Sequence, residues 1–375
     1  MKTRSNLSEL IWLLALIIVT QSCADDDQPT EALTLPEQID QYLADHQSTD
    51  SPGLSIAIRQ AGQTVYQNNR GLARESGQRV IDSDTQFRVG SITKPITAIA
   101  IMQLLEQGEI GLNNKLLSFY PELPAAFEAI TVEHLLTHRS GLLDYIDDNT
   151  DLSALDNVQT STVLGFFDDT GLENLNFVPG TAGDYSNTGY VLLALIIEKV
   201  SGMSYPDYLR QNLFNPTGMT RSFVISEHQH LGDAGNNYAL SFGNSLKVKG
   251  FNSLIYGASG VASTTNDLLL FMEALLSNEL ISQESLDLMI PSRGAIPGIA
   301  DYGLGWMTGT GQYWHSADLT DNNDFWHSGG FDGYRTVLSF NPDLDLQVVI
   351  LTNGGDATQE IMWGLLKLVR NHYKQ

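Results

Sequence analysis

Ser91 and Lys94 are the residues whose types and spacing most directly suggest chemistry, because a serine hydroxyl beside a lysine amine can form a nucleophile and its base. They lie three positions apart, with Gly90 before the serine and Pro95 after the lysine. Proline is tolerated in a helix only in the first turn, so a helix begins within about four residues of Pro95 and Ser91 lies at its N-terminus. Residues three apart share a helical face, so we expect the Lys94 amine to reach the Ser91 hydroxyl.

The lysine can serve as a base only in its neutral form. The stretch Ser91–Gln107 is apolar nearly all round, which is typical of a buried helix. Burial favours the neutral amine, whereas nearby carboxylates would oppose it. The backbone N–H of Ser91 is placed to stabilise an oxyanion. The alternative is a helix-capping serine and a lysine whose aliphatic stem carries its amine to solvent.

Two further stretches offer polar groups that complement this pair. Tyr185 and Asn187 lie in a turn-rich loop before an apolar helix, where a phenol can relay a proton and an amide can bind a substrate carbonyl. His327 precedes Ser328–Gly330, and paired glycines on a strand indicate close approach of another backbone or a ligand. An imidazole there can hydrogen-bond an oxyanion or a carboxylate. A second Tyr-x-Asn, at Tyr66, falls in a predicted strand, and we interpret it as surface.

In this order the three motifs resemble those of serine β-lactamase-like and penicillin-binding enzymes of the class C type. That group includes DD-carboxypeptidases, class C β-lactamases, D-amino-acid peptidases and esterases. The resemblance runs from about residue 35 to about residue 370, and it includes three further stretches: Phe87–Gly90, Leu135–Leu142 and Ala258–Thr264.

The resemblance implies an acyl-enzyme mechanism without a cofactor: acylation of Ser91, loss of the leaving group, then hydrolysis. Lys94 and Tyr185 would share the base and acid work, and the N–H groups of Ser91 and Gly330 would form the oxyanion hole. The implied catalytic residues are Ser91, Lys94, Tyr185 and His327, and the implied substrate-binding residues are Asn187, Ser328, Gly329 and Gly330.

One departure from the pattern bears on the substrate. His327 stands where β-lactamases carry the lysine of Lys-Thr-Gly, so a fixed positive charge is lost near neutral pH. A substrate carboxylate would be held less firmly. We therefore rank a D-alanyl-D-alanine carboxypeptidase-like peptidase first, an esterase or a weak class C-type β-lactamase second, and a non-catalytic penicillin- or peptide-binding sensor third.

The N-terminus has the pattern of an export signal. Lys2 and Arg4 precede an apolar run, Leu10–Val19, which is too short for a transmembrane helix of about 20 residues. A small residue then precedes Cys23, the only cysteine, as in bacterial lipoprotein signals. We expect a signal peptide over 1–22, lipidation of Cys23, a tether over 23–33, and a location at the cell envelope of a Gram-negative bacterium, in the periplasm or on the outer-membrane surface. An ordinary cleaved signal is the alternative.

Composition and patterning limit the fold and the partners. The 375 residues are 42% hydrophobic and carry a net charge of −24, which supports a sizeable core and disfavours nucleic acid as a partner. Strand patterns near both ends and helical patterns between them predict an α/β (α+β) fold, an antiparallel sheet carrying an inserted mainly helical domain. We expect one hydrolase domain over 34–375, with its α/β part at about 34–115 and 250–375 and its helical part at about 116–249.

Local signals predict several individual elements. Ala61-Gly62 lies between two strand patterns and indicates a hairpin. Val132–His138 and Tyr190–Val200 have helical patterns, and Gly202 closes the second helix. The stretch 290–325 is expected to be a loop that shapes the pocket.

A metal site is not favoured. His134 and His138 have the spacing of a zinc pair, but no third ligand is evident and the glutamate precedes the pair. The acidic stretches 147–151 and 321–324 have neither the loop glycine nor the closing glutamate of a calcium loop. The expected partners are therefore a small peptide, ester or β-lactam substrate and, through the lipid anchor, a membrane.

Overall fold

The computed structural model describes residues 33–74, 78–145, 160–167, 171–225, 252–310, 323–331 and 333–373. Within them the strands, in chain order, are β1 Leu54–Gln60, β2 Gln63–Arg70, β3 Leu72–Arg74, β4 Arg79–Val80, β5 Phe87–Arg88, β6 Phe223–Val224, β7 Val261–Ser263, β8 Ala295–Ile296, β9 Ala300–Tyr302, β10 Met307–Thr308, β11 Phe325–Phe331, β12 Tyr334–Asn341 and β13 Leu346–Thr352.

The helices in the same described ranges are α1 Leu35–His46, α2 Thr93–Glu106, α3 Leu116–Phe119, α4 Val132–Leu136, α5 Asn187–Ser201, α6 Tyr205–Leu209, α7 Thr265–Leu276, α8 Gln283–Met289 and α9 Asp356–Tyr373. Short 3₁₀ turns add to them, including Gly90–Ile92 directly before α2.

An antiparallel sheet of order β2-β1-β13-β12-β11-β10-β9-β8 forms the centre of the molecule. The hairpin β1–β2 turns at Ala61 and Gly62, both in the left-handed region with φ of 47° and 73°, as a two-residue hairpin requires. Strands from the N-terminal and C-terminal parts of the chain are neighbours in this sheet, since β1 pairs with β13. The predicted mixed fold, with strands from both ends in one antiparallel sheet, is confirmed; the domain boundaries stay a prediction.

The sheet is covered on both faces. Ile56 and Val348 point to one face, where they pack with Leu365 of α9 and Leu43 of α1. Neighbouring residues such as Val349 point to the other face and pack with the helical part. This alternation follows from the two-residue repeat of a strand. Helix α7 packs against β1 and β13 on this second face, and α2 and α5 belong to the same hydrophobic core.

Helix α2 carries the Ser-x-x-Lys motif and begins where its proline predicts. Pro95 is the third residue of α2, within the first turn, so its missing N–H leaves no hydrogen bond unmade. Eleven of the fourteen α2 residues are buried, Lys94 among them, because the helix lies against α5 and the sheet-facing core. A buried α2 was the expectation from its uniform apolarity.

Several elements differ from the sequence-based expectation. The helix predicted to reach His138 ends at Leu136, and His138 adopts a left-handed conformation with φ of 57°. The short strands β8, β9 and β10 lie in a region predicted as loop, since two- and three-residue strands depend on pairing rather than on local pattern. The surface interpretation of Tyr66 is wrong: its ring is buried and its hydroxyl donates to Asp40 of α1.

The expected signal peptide, Cys23 and nearly all of the tether lie outside the described residues. Among the residues that are described, none of the helices combines the length and apolarity needed to cross a bilayer.

Candidate active site

The Ser91 hydroxyl and the Lys94 amine meet at the start of α2. Lys94 Nζ lies 3.1 Å from Ser91 Oγ. The same nitrogen donates to Asn187 Oδ1 at 2.8 Å and to the Ala258 carbonyl at 3.2 Å. Lys94 is buried, whereas Ser91 is only half-buried. The arrangement therefore presents the hydroxyl toward the surface and keeps the amine behind it.

The three neighbours of Lys94 Nζ suit a neutral amine. Two of them, the Asn187 and Ala258 carbonyl oxygens, can only accept, and they take the two hydrogens of a neutral –NH₂. The third neighbour, the Ser91 hydroxyl, can donate its proton to the remaining lone pair. A serine–lysine pair in this arrangement can pass the Ser91 proton to the lysine without any change of partners.

Burial lowers the pKa of Lys94 to about 7, while the negative charge of Asp144 acts in the opposite direction. The rings of Tyr185 and Tyr190 face the ammonium, with Nζ 4.6 Å and 5.6 Å from their centroids, and this contact favours the charged form. A pKa near 7 lets the same amine take and return a proton at neutral pH.

Asp144 fixes the orientation of Asn187. Its carboxylate accepts hydrogen bonds from the Asn187 backbone N–H at 3.0 Å and from Asn187 Nδ2 at 2.8 Å. It also accepts from the backbone and hydroxyl of Thr188. Because a carboxylate only accepts, Nδ2 must face Asp144 and Oδ1 must face Lys94. These bonds also satisfy donors at the start of α5.

The Tyr185 ring contacts Lys94 Nζ, and the His327 ring lies beside it, with the two ring centroids 6.5 Å apart. The structure thus brings the phenol and the imidazole to the Ser91–Lys94 pair, as the sequence predicts. His327, however, is buried, and both ring nitrogens have protein partners. Nδ1 donates to the Ser328 carbonyl at 2.6 Å, so Nε2 accepts from the Tyr302 hydroxyl at 2.9 Å.

Burial and the nearby charge of Lys94 lower the pKa of His327 to about 3, so this imidazole is neutral at physiological pH. It cannot supply the positive charge that a lysine would supply at this position. Because both of its nitrogens already have protein partners, the His327 ring is a neutral group with no free hydrogen-bonding atom for a substrate. Its hydrogen bond to an oxyanion or a carboxylate stays a prediction that would require a change of partners.

Gly90 and Gly329 allow β11 to approach the turn before α2. Gly90 has φ of 54°, and a Cβ there would lie 2.9 Å from Gly330 N. A Cβ on Gly329 would lie 2.1 Å from the Val89 carbonyl and 3.1 Å from Ser91 N. The close backbone approach that the paired glycines predict is therefore present, and it brings the N–H groups of Ser91 and Gly330 to one junction.

The family model described as Beta-lactamase matches residues 37–369 of this chain. The chain belongs to the beta-lactamase family. Its members and their penicillin-binding relatives are serine hydrolases, and this chain is a serine hydrolase of the same family, as its motif order predicts.

Penicillin-binding protein 4* of Bacillus subtilis (strain 168) is 29% identical over 322 residues, which cover 81% of this chain and 69% of that protein. Penicillin-binding protein 4 of Amycolatopsis lactamdurans is 26% identical, covering 82% of each chain. Among solved structures, the octameric penicillin-binding protein homologue from Pyrococcus abyssi has a TM-score of 0.74 at 28% identity, covering 90% of this chain and 77% of that one. The D-amino acid amidase from Ochrobactrum anthropi SV3 shares the fold, with a TM-score of 0.71 at 24% identity over 90% and 99% of the two chains.

Three residues of this beta-lactamase-family site were missed by sequence reasoning: Asp144, Tyr302 and His138. Asp144 and Tyr302 lie in stretches without a periodic pattern, so nothing in the sequence separates them from other acidic or aromatic residues. In the sequence His138 is notable only as part of the stretch Leu135–Leu142 and as half of a possible zinc pair. In the structure His138 packs beside Tyr185, whereas His134 Nδ1 accepts from the Thr131 backbone N–H.

In the part of the chain that is described, no three His, Cys, Asp or Glu residues are close enough together to hold a metal ion. The groups assembled around Ser91 are instead a hydroxyl, an amine, an amide and two aromatic rings. That set can carry out nucleophilic attack, proton transfer and carbonyl binding.

Proposed function

We propose that this protein is a D-alanyl-D-alanine carboxypeptidase-like peptidase that forms an acyl-enzyme on Ser91. The observation that carries the proposal is the 3.1 Å contact between Ser91 Oγ and a buried Lys94 amine whose pKa is about 7. The neutral amine takes the Ser91 proton as Oγ attacks the substrate carbonyl. Lys94 and Tyr185 return a proton to the leaving amine, and water then hydrolyses the ester that joins the acyl group to Ser91.

A peptide-like substrate is favoured by the shape of the site. Within the described residues, Phe325 and Trp326 are the part of β11 that pairs with β10. The rest of β11, from His327 to Phe331, pairs with β12 on one side, and its other edge runs past the turn that carries Ser91. An open strand edge binds an extended peptide through backbone hydrogen bonds. The names of the penicillin-binding relatives support penicillin as a further ligand.

An esterase is the second candidate, and the state of His327 favours it. A peptidase of this type must hold a C-terminal carboxylate, but His327 is neutral and buried. Small esters do not carry that charge, so they need no cation at this position. A weak β-lactamase is disfavoured by the same observation, because β-lactam antibiotics carry a carboxylate.

Labelling and turnover together test the nucleophile. A penicillin or fluorophosphonate probe should add one adduct to Ser91, seen by mass spectrometry, and Ser91→Ala should lower turnover by at least about 10³-fold. A folded protein that carries no adduct at Ser91 would contradict the proposal. Stable labelling without any turnover would favour the sensor alternative instead.

The substrate class is tested by comparing kcat/KM for D-Ala-D-Ala peptides, short-chain p-nitrophenyl esters and nitrocefin. We expect the peptides to exceed nitrocefin. Ester turnover without peptide turnover would favour the esterase, and a nitrocefin rate far above the others would reverse the order.

We also propose that the protein is exported and anchored at the cell envelope through a lipid on Cys23. The charged start, the short apolar run and the lone cysteine of residues 1–23 support this. Metabolic labelling with a fatty-acid analogue should mark the wild type but not Cys23→Ser. An unlabelled mature protein with another N-terminus would contradict it.

A further inference from the structure

His138 has a backbone conformation that is uncommon for a residue with a side chain. Its φ of 57° lies in the left-handed region, directly after α4 ends. This conformation turns its carbonyl toward the loop that carries Tyr185. The His138 carbonyl accepts the Asp184 N–H at 2.9 Å, and the Arg139 carbonyl accepts the Gly180 N–H at 2.8 Å. A residue that specific contacts hold in a rare backbone conformation beside an active site indicates a functional role in that site.

The His138 imidazole contacts the same loop from a second direction. Its Nδ1 accepts the Ser186 N–H at 3.0 Å. Its ring stacks on Tyr185, with centroids 4.2 Å apart and planes 28° apart. One residue therefore holds the backbone on both sides of Tyr185, at 184 and 186, and the Tyr185 ring between them.

These contacts require the particular chemistry of a histidine side chain at position 138. A buried N–H such as that of Ser186 needs an acceptor, and an aromatic ring is needed to stack on Tyr185; imidazole provides both, and phenylalanine provides only the ring. Because Nδ1 accepts, the proton of the neutral ring is on Nε2. Among the described residues this buried Nε2 has no hydrogen-bond partner. Burial and the charge of Lys94 hold the pKa of His138 well below its usual range.

We propose that His138 is the residue that positions Tyr185 beside Lys94, through the Ser186 N–H, the Asp184 N–H and the stacked ring. The inference rests on the proposed function, in which Tyr185 transfers protons. It assigns His138 no proton transfer of its own. Its effect on catalysis is expected to pass entirely through Tyr185.

A double-mutant cycle with Tyr185→Phe tests this dependence. His138→Asn is the variant of choice because asparagine tolerates the left-handed conformation. In the wild-type background we expect kcat/KM for an activated ester to fall about 10- to 100-fold, mostly through kcat, because the phenol is misplaced. In the Tyr185→Phe background the same change should cost less than about 3-fold. Equal losses in both backgrounds would overturn the proposal.

Tyr120→Phe is the matched control, since it removes another buried hydrogen bond in the helical part, from the Tyr120 hydroxyl to the Leu195 carbonyl. It should leave kcat/KM unchanged at a similar loss of stability. Nitrogen-15 NMR of the wild type adds a measurement that needs no variant: the His138 ring, assigned by its Overhauser contacts to Tyr185, should carry its proton on Nε2. A proton on Nδ1 would overturn the proposal, even if His138→Asn does not fold. An inert wild type would instead count against the proposed function.

Discussion

Lys94 gives the site its pH dependence. Its pKa of about 7 is set mainly by burial, and Asp144 is the group that raises it. The base must be neutral, so kcat/KM for a neutral ester should rise with pH and level off above about pH 7. Neither His327 nor His138 titrates in this range, because both pKa values are lowered by burial. Measuring kcat/KM from pH 5 to pH 9 checks this rise, which is the acid limb of the pH profile.

Asp144→Asn should move this limb to lower pH. Removing the carboxylate removes a charge that favours the ammonium, so the pKa of Lys94 falls further. The kcat on the plateau should also fall, on the order of 10-fold, since Asn187 loses its orienting partner. Asp184→Asn changes a carboxylate of the neighbouring loop and should leave the limb in place. A limb that moves to higher pH in Asp144→Asn would refute the assignment.

The same lysine links stability to pH. In the unfolded chain Lys94 keeps its proton up to about pH 10.4, whereas in the folded protein it loses the proton above about pH 7. The unfolded state therefore binds more protons between these values, and stability rises with pH. From pH 7 to pH 9 the free energy of unfolding of the wild type should increase by about 2 kcal/mol more than that of Lys94→Met. Denaturant titrations at the two pH values measure the difference, and equal increases would contradict the assigned pKa.

At the scale of elements, the contact between β11 and the turn before α2 depends on the absence of a side chain at Gly329. A Cβ on Gly329 would meet the Val89 carbonyl at 2.1 Å, whereas a Cβ on Gly330 would have only Arg335 within 4 Å, at 3.8 Å. Gly329→Ala should therefore lower the free energy of unfolding by about 1–3 kcal/mol and displace Ser91. Gly330→Ala is the matched control and should stay within about 0.5 kcal/mol. Chemical denaturation compares the two, and equal stabilities would contradict the packing described here.

The elements that sequence reasoning predicted are those with strong local signals. Pro95 marks the first turn of α2, and the Ala61-Gly62 pair marks the turn of the first hairpin. Gly202, with φ of 69°, ends α5 as a left-handed cap. The paired glycines of β11 correctly indicated a close backbone approach. In each case the physical cause lies within a few residues of the chain.

The features that were missed depend on distant residues. The strands β9 and β10 contain two or three residues, and their pairing with each other and with β11 defines them. His138 leaves the helical conformation because of contacts with residues 184–186, which lie more than 40 positions away. Asp144 is recognisable only once Asn187 and Thr188 are beside it. Local pattern could not place these side chains.

At the scale of the whole molecule, one sheet separates α1 and α9 from the helix that carries Ser91 and Lys94. Helices α1 and α9 cover the outer face, and α2 and α5 bring Ser91, Lys94 and Asn187 to the other side. His327 is neutral in the site, and the chain carries a net charge of −24. That charge gives substrates with carboxylates no electrostatic attraction to the protein. It is consistent with an esterase as the second candidate.

A buried ion pair joins α9, on the outer face of the sheet, to the start of β11, the strand that carries His327. Arg370 of α9 donates to Asp324, which directly precedes β11, and to the Ser339 hydroxyl of β12. Both charged side chains are fully buried, with 1% and 0% exposure. Removing one charge of such a pair typically costs about 3–5 kcal/mol, because the other charge stays buried and loses this partner.

Arg370→Met should therefore lower the melting temperature by roughly 5–10 °C without changing the catalytic activity of the folded protein. Arg210→Met is the matched control, because Arg210 pairs with Asp207 at the surface and such pairs contribute about 0–1 kcal/mol. Activity per folded molecule at 25 °C and the acid limb near pH 7 should be the same in both variants and in the wild type. Thermal unfolding and the pH profile measure the two effects separately. A shifted limb in Arg370→Met would contradict this expectation, because it would show that the buried ion pair of α9 also sets the geometry around Lys94.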